Sequence, residues 1–394
     1  MRKAILISAA LILIPALGQA KTLDDLLAER GVVAKSESGS KAMMAGSKVY
    51  YKDGTTFEFP DNGFTTRINT VVQPRYEFSD NDTGVDNTSS FSVERARLLV
   101  TGTALNQEFS YGIQAAFDNG NGAGVEATGA GSGTLLDAFI KWHACDWVYV
   151  KLGQYKTHIS RQYVTNGTQL QFADRSNVSD YFTIGRANGA SVGGQFDGFE
   201  WDAMITNGSS LGEGINAEGN DTDHGVIFGA RYNHGDIDAY EEGDVHGTED
   251  LAASIGVHYG IESNDLDLGD DLDIDVLNVD LTIKHQGMSV AAEYFHREFD
   301  GAGIDLDEDG FYVQAGYFIT PGELEIAARY GLVEYDDADP SGVDEESEVA
   351  VSVNYYWWAH HLKAQIGWLR DTVDLVDGSE TDSNRWLVQL SAWF

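Results

Sequence analysis

The chain has 394 residues, with 44 glycines, 5 prolines and a formal charge of −38 at pH 7. Repulsion from the phosphate backbone excludes nucleic acid as a partner at this charge. The single cysteine, Cys145, excludes an internal disulfide and a cysteine metal cluster, and we expect neither a bound metal nor a cofactor.

The first part of the chain has the pattern of a secretory signal. Arg2 and Lys3 precede an apolar run, and Gly18 and Ala20 supply the small residues that signal peptidase reads. The run is too short for a membrane anchor. We therefore predict a signal peptide over residues 1–20.

Residues 21–62 predict two small elements that precede the main domain. Leu23, Leu26 and Leu27 lie on one side of a short amphipathic pattern, which predicts a helix. Two short extended runs then flank Asp53-Gly54, a strong signal for a hairpin turn. We expect both elements on the periplasmic side of the domain that follows.

Strict alternation of apolar and polar residues begins at Gly63 and continues to the last residue. From Phe109 to Phe117, for example, the odd positions hold Phe, Tyr, Ile, Ala and Phe, the pattern of a strand with one apolar face. The predicted strands are 64–78, 91–104, 107–118, 134–144, 147–155, 184–196, 198–206, 224–234, 251–260, 273–286, 288–298, 310–319, 322–334, 346–358, 360–371 and 384–394. Sixteen strands of this kind predict an all-β, transmembrane antiparallel β-barrel over residues 63–394.

The final strand, Asn384 to Phe394, predicts how the barrel closes. Trp386, Val388 and Leu390 share one face with Phe394, and the other face is mixed. A terminal aromatic residue on an apolar face is typical of the closing strand of an outer-membrane barrel. We therefore place the protein in the outer membrane of a Gram-negative bacterium, in contact with lipid and lipopolysaccharide.

The predicted connections alternate between short and long, which indicates periplasmic turns and external loops. The connection from Asn233 to Asp250 is long where a short one is expected. The longest loop that starts from a strand end runs from Thr157 to Phe182, and loops of this length are usually functional or disordered. We expect it to fold into the barrel and to bring Arg161 and Arg175 to the constriction; the alternative is an external loop over the mouth.

Basic residues alternate with lipid-type residues within the predicted strands. A charge that faced lipid would cost about 2–4 kcal/mol, so these side chains are expected to point into the lumen of a water-filled channel. They are Arg67, Arg75, Arg95, Arg97, Lys141, Lys151, Arg231, Lys284, Arg297 and Arg329. A basic wall would favour anions; in the alternative, the cations pair with Glu77, Glu94, Asp137, Asp280 and Glu293 and the wall has no preference.

Acidic residues are concentrated in the predicted loops, as in Asp305, Asp307 and Asp309. They either keep the loops solvated or bind divalent cations that bridge to lipopolysaccharide. The spacing of these three resembles the start of an EF-hand loop, but its twelfth position is Gly316 rather than glutamate, so we predict no metal site.

Two segments resemble the phosphate-selective porin O and P family. SVERARLLVTG (92–102) and KLGQYKTHISRQYVTNGTQLQFADRS (151–176) are similar to a strand and to the constriction loop of that family. The resemblance implies a homotrimeric outer-membrane channel in which anions such as phosphate pass a ladder of inward arginines. The segment after Gly153-Gln154 lacks the family's K-x-P turn, and lysines are sparse.

Other functions remain open at this point. The channel is either an anion porin or a general or cation-preferring porin for small hydrophilic solutes, and a surface receptor is a further alternative. Gly189, Ser191 and Gly193 match G-x-S-x-G, but the hydrolase motif needs a strand-turn-helix elbow and here lies within a predicted strand. We therefore predict a protein that is not an enzyme.

Overall fold

This computed structural model of the chain describes residues 47–60, 63–81, 87–118, 134–207, 224–266, 270–301, 303–336 and 339–394. The predicted signal peptide and the helix predicted before residue 44 lie outside these ranges. So do parts of the predicted long loops, including residues 119–133. No helix among the described residues is long and apolar enough to cross a membrane.

Within the described residues, eighteen strands form one sheet, and two short helices lie between the seventh and eighth strands. The strands are β1 Lys48–Tyr51, β2 Thr55–Phe59, β3 Phe64–Asn81, β4 Thr88–Ala104, β5 Phe109–Ala116, β6 Thr134–Cys145, β7 Val148–Lys156, β8 Arg186–Phe196, β9 Phe199–Thr206, β10 Gly225–His234, β11 Ala252–Leu266, β12 Asp270–His285, β13 Met288–Gly301, β14 Ile304–Thr320, β15 Leu324–Glu334, β16 Val343–Trp358, β17 Leu362–Leu375 and β18 Glu380–Trp393. The helices are α1 Arg161–Val164 and α2 Asn177–Phe182.

Strands β3 to β18 form a closed antiparallel barrel. Each strand pairs with the next one along the chain, and β18 pairs with β3 in a register that joins Trp386 to Phe78 and Ala392 to Val72. Closure removes the free edges that an open sheet would expose to lipid. The predicted sixteen-strand barrel and its closing strand are therefore confirmed.

The β1–β2 hairpin continues the sheet along the edge of β3, past the point where β18 ends. The backbone of Phe394 bonds to Thr70 of β3, and β2 then pairs with the remaining edge of β3, from Thr55 opposite Ile68 to Phe59 opposite Phe64. The turn contains Asp53 (φ 51°) and Gly54 (φ 137°), the positive-φ geometry that an Asp-Gly pair supplies. One strand of the barrel thus carries two partners on the same edge.

Alternation sorts the side chains between the outside and the inside of the barrel. On β17 and β18, Ile366 and Val388 are 59% and 49% exposed, whereas Gln365 and Gln389 are each 1% exposed. Apolar residues therefore face outward and polar residues face inward, the reverse of a soluble core.

Turns at one end of the barrel are short, as between β8 and β9 or between β12 and β13, with the exception of residues 235–251. At the other end, the strands extend further than alternation alone predicted. Asp305, Asp307 and Asp309 lie within β14 rather than in a loop. Asp305 and Asp307 are exposed, so their charges stay in water while the backbone pairs with β13.

Candidate channel lumen

Residues 157–185, called loop 3 here, fold into the barrel as predicted. Two short helices shape the loop, and each begins at a serine whose hydroxyl accepts a backbone N–H: Ser160 from Tyr163 (3.1 Å) and Ser176 from Ser179 (3.0 Å). These caps satisfy the first free donors of helices too short to be stable alone.

Apolar side chains attach loop 3 to one part of the wall. Ile159, Val178 and Phe182 are at most 1% exposed, and the ring of Phe182 stacks on Phe295 of β13 with centroids 5.2 Å apart. Gly310 of β14 leaves room for this contact, since a Cβ there would lie 2.3 Å from the Phe182 ring. This region of the lumen is packed like a protein core.

Buried polar groups fix the rest of the loop. The carboxylate of Glu293 accepts the backbone N–H groups of Arg161 (3.1 Å) and Gln162 (2.7 Å) at the start of α1. At the tip of the loop, Gln171 donates to Glu325 (2.5 Å), and its carbonyl accepts from Asn354 (2.8 Å). Such buried bonds are costly to break because each leaves an unpaired group.

Most of the predicted inward arginines form ion pairs with carboxylates. Arg75 forms a two-point contact with Asp174 of loop 3 (3.0 and 2.6 Å) and lies 3.5 Å from Glu94. The other pairs are Arg97 with Asp118, Arg231 with Asp280, Arg297 with Glu308 and Arg329 with Glu348. Their charges are therefore largely compensated within the protein.

The two arginines predicted at the constriction lie inside loop 3 and its contacts. Arg161 is 1% exposed and donates to the carbonyl of Ala239 (3.1 Å) and to the hydroxyl of Tyr312 (3.0 Å). Arg175 is 3% exposed and donates to backbone carbonyls of the same loop, including that of Gln162 (3.2 Å). Both guanidinium groups bind protein atoms that hold the loop in place.

The remaining two arginines occupy different positions along β3 and β4. Arg67 lies where β2 pairs with β3, opposite Thr56. Arg95 lies under loop 3, where it is 2% exposed and donates to Gln73 (2.9 Å), which in turn donates to the carbonyl of Gly167. The guanidinium of Arg95 thus binds a glutamine that itself binds loop 3.

Lys141 and Lys151 differ from all these arginines. They lie directly opposite each other on β6 and β7. The Lys141 ammonium lies 3.7 Å from the ring centre of Tyr149, and that of Lys151 lies 3.7 Å from the ring centre of Tyr155. In the part of the chain that the structure describes, neither ammonium forms an ion pair with a carboxylate, so two neighbouring positive charges are held only by aromatic faces.

These lysines line a cavity of about 490 Å³ between loop 3 and the wall of β6 to β11. Trp147, Tyr149 and Trp201 add aromatic surface to it. Asp146, Glu200 and Asp202 also line it; Asp202 contacts His158 (3.0 Å), and Glu200 accepts from Asn233 (2.6 Å). The cavity offers a small solute two cations and several ring faces.

A second cavity of about 430 Å³ lies on the other side of loop 3, between the loop and β3, β4, β16 and β18. Three arginines and five acids line it: Arg75, Arg175, Arg385, Glu77, Glu94, Asp174, Asp180 and Glu348. By this count its formal charge is negative. The two cavities therefore present different charge to a solute.

Ser191 of the G-x-S-x-G match lies within β8, and its hydroxyl accepts from Tyr155 (3.0 Å). The strand-turn-helix elbow of a hydrolase nucleophile is absent at this serine, because the whole motif is paired with β7 and β9. Sequence reasoning missed Glu242 and Gln171, which hold loop 3, and it named Glu293 only as a possible partner of the inward cations. The sequence did contain a signal for Glu242, because this residue belongs to the connection before β11 that is unexpectedly long.

The phosphate-selective porin O and P family matches residues 67–385. An uncharacterised protein of Aquifex aeolicus is 23% identical over 438 aligned positions that cover 100% of both chains. The outer membrane channel DcaP of Acinetobacter baumannii has a TM-score of 0.62 at 13% identity, over 84% of this chain and 98% of that one. An anion-selective porin from Comamonas acidovorans has a TM-score of 0.57 at 13% identity, over 83% and 99%. At these identities, the two solved structures share the fold.

Proposed function

The chain belongs to the phosphate-selective porin O and P family, and we propose that it is a porin of the Gram-negative outer membrane. Small hydrophilic solutes diffuse passively through its barrel. The observation that carries this proposal is the closed sixteen-strand barrel with an apolar exterior and a cavity beside loop 3. A barrel of this size encloses more space than its side chains fill.

The solutes that the porin favours are anions such as phosphate, and Lys141 and Lys151 carry the preference. These two lysines can attract an anion electrostatically, because they are neighbouring cations without a carboxylate partner among the described residues. The paired arginines contribute less, since Arg75, Arg231 and Arg329 are each compensated by an acid. An anion that approaches the two ammonium groups meets two adjacent positive charges, which Asp137 and Asp202 offset only from beyond ion-pair distance.

A planar-bilayer measurement tests this function. We expect stepwise conductance from the purified protein and a reversal potential across a salt gradient with the sign of an anion-preferring channel. The double variant Lys141→Met with Lys151→Met should lose that preference, whereas Lys52→Met on the exposed β1–β2 turn should retain it. Absence of conductance contradicts the channel; an unchanged reversal potential in the double variant contradicts the role of the lysines.

A general or cation-preferring porin is the second candidate. The cavity lined by Glu77, Glu94 and Asp174 favours it, because acids outnumber arginines there. If that cavity dominates permeation, the parent protein will show a cation-preferring reversal potential. Glu77→Gln, at the half-buried edge of the cavity, should then shift the potential toward anions.

We also propose that the protein works as a homotrimer in lipid with lipopolysaccharide. Exposed apolar residues on the outer wall, such as Ile140 (60%) and Leu152 (58%), support contact with acyl chains or with another barrel. Light scattering of the detergent-solubilised protein would give the mass of three chains. A mass of one chain would contradict the trimer.

A further inference from the structure

The connection between β10 and β11, residues 235–251 and called the turn segment here, also enters the barrel. Ala239, Glu242, Asp244 and Val245 are each at most 6% exposed. The other connections at this end, such as those between β8 and β9 and between β12 and β13, have room only for a tight turn. Burial on this scale requires partners inside the lumen.

Side chains of the wall hold the turn segment from one side. Val245 packs with Phe318 and Tyr356 in a small apolar cluster. Asp244 accepts the backbone N–H of Gly287 (2.6 Å), and the carbonyl of Glu242 contacts Nε2 of His360 (3.0 Å). The segment is therefore attached to the strands from β12 to β17.

Loop 3 meets the turn segment from the other side, and Glu242 is the centre of this contact. One carboxylate oxygen accepts from Nε2 of Gln162 (2.9 Å), and the other accepts from the backbone N–H of Gln171 (2.8 Å). The backbone N–H of Glu242 donates to the carbonyl of Gln169 (3.1 Å). The guanidinium of Arg161 lies 3.5 Å from the same carboxylate.

We propose that Glu242 is a positioning residue that fixes loop 3 and thereby sets the width and the solute size limit of the channel. The turn segment enters from the end of the barrel that carries the short turns, and it covers the side of the lumen formed by β12 to β17. Loop 3 rests on it and borders the cavity on the opposite wall, where Lys141 and Lys151 lie. The conductance part of this proposal rests on the porin function proposed above.

The variant Glu242→Gln tests the contact with little change in shape. A carboxylate presents an acceptor to both donors of loop 3, whereas an amide presents one acceptor and turns its NH2 group toward the other donor. The loop should then loosen. We expect single-channel conductance to rise by roughly twofold as the constriction widens, and larger neutral sugars to enter in a liposome-swelling assay.

Glu249→Gln is the matched control, because Glu249 is exposed on the same segment. Gln162→Leu removes the donor on the loop side of the same contact, so it should raise conductance in the same way. It also decides the question alone if Glu242→Gln fails to fold. Parental conductance and an unchanged size limit in both folded variants would overturn the proposal.

Amide hydrogen exchange separates a failure of this inference from a failure of the porin function. The backbone N–H of Gln171 should exchange faster in Glu242→Gln than in Glu249→Gln, whether or not the protein conducts. Equal exchange rates would contradict the positioning role even in a working channel. A protein without conductance but with faster exchange would retain the positioning role and lose the porin function.

Discussion

The two sides of the barrel lumen have the same alternation of residues, but the inward side chains are covered on one side and open to a cavity on the other. On β13 to β16, inward residues such as Tyr312, Glu293 and Asn354 are at most 2% exposed, because loop 3 and the turn segment cover them. On β6 and β7, Lys141 and Lys151 are only half-buried and border a cavity. One side behaves as a polar protein core and the other as the wall of a channel.

The difference teaches that an inward charge in a barrel has two possible roles. Where a loop covers the wall, the charge needs a fixed partner, since an unpaired buried charge is strongly destabilising. Where water reaches the wall, the charge tolerates the lack of a protein partner and remains available to solutes. Substitutions on the covered side should therefore change stability, and those on the open side should change selectivity.

The largest effect is expected from Arg161→Met on the covered side. Arg161 lies within 4.0 Å of Asp280, Glu242 and Glu293. Asp280 keeps Arg231, but the loss of Arg161 removes the nearby cation from the buried Glu242 and Glu293. We expect the free energy of unfolding to fall by about 3–5 kcal/mol, measured by urea denaturation in lipid vesicles. Lys151→Met on the open side should change it by less than about 1 kcal/mol, and equal losses in the two variants would contradict the distinction.

Phe182→Ala should rank next. The ring is 1% exposed and stacks on Phe295, so its removal leaves a cavity that costs about 3–5 kcal/mol of loop docking. The exchange rate of the Thr183 amide, which donates to the carbonyl of Ser179, measures this loss. Phe196→Ala is the matched control, because the ring of Phe196 is 70% exposed on β8, and it should leave that amide protected.

Gly310→Ala adds one methyl group to the covered wall. Its carbon would lie 2.3 Å from the ring of Phe182, so the ring must move. Overpacking of this kind costs about 1–3 kcal/mol and should increase protease cleavage within loop 3 of the folded protein. Parental resistance to cleavage would mean that the loop adapts to the extra methyl group.

Acid should have the smallest effect on the loop 3 contact at Asp174. Partial removal from water raises the pKa of this carboxyl, but the facing Arg75 guanidinium lowers it more, and the pKa lies well below its ordinary value of 3.8. A lowered folded-state pKa stabilises docking above the ordinary value and loses that stabilisation only as pH falls through the lowered one. The contribution of the Asp174–Arg75 contact to loop 3 docking should therefore be constant from about pH 7 to pH 4.

The variant Arg75→Gln sharpens this pH test. Without the guanidinium, the pKa of Asp174 should rise and protection of loop 3 should weaken at a higher pH. Hydrogen exchange at several pH values, corrected for intrinsic rates, gives the midpoint. The same midpoint in the parent and the variant would contradict the role of Arg75.

Much of the fold could be predicted because alternation is a local property of extended backbone. The period of two placed Val388 outside and Gln389 inside without knowledge of any partner. The Asp53-Gly54 pair marked its hairpin for the same reason. The outer ends of strands such as β14 were missed, because acidic residues resemble a loop by composition although their backbone pairs normally.

The sequence by itself determined which side chains face inward, and therefore the barrel, its strand number and the infolded loop. Only the tertiary structure decided which inward charges are cancelled. Arg75 binds Asp174, which is separated from it by 99 positions in the sequence, and Gln171 binds Glu242, which is separated from it by 71 positions. Ion pairing depends on distances that closure of the barrel and packing of loop 3 create, so only the tertiary structure reveals that Lys141 and Lys151 contact aromatic rings and no carboxylate among the described residues.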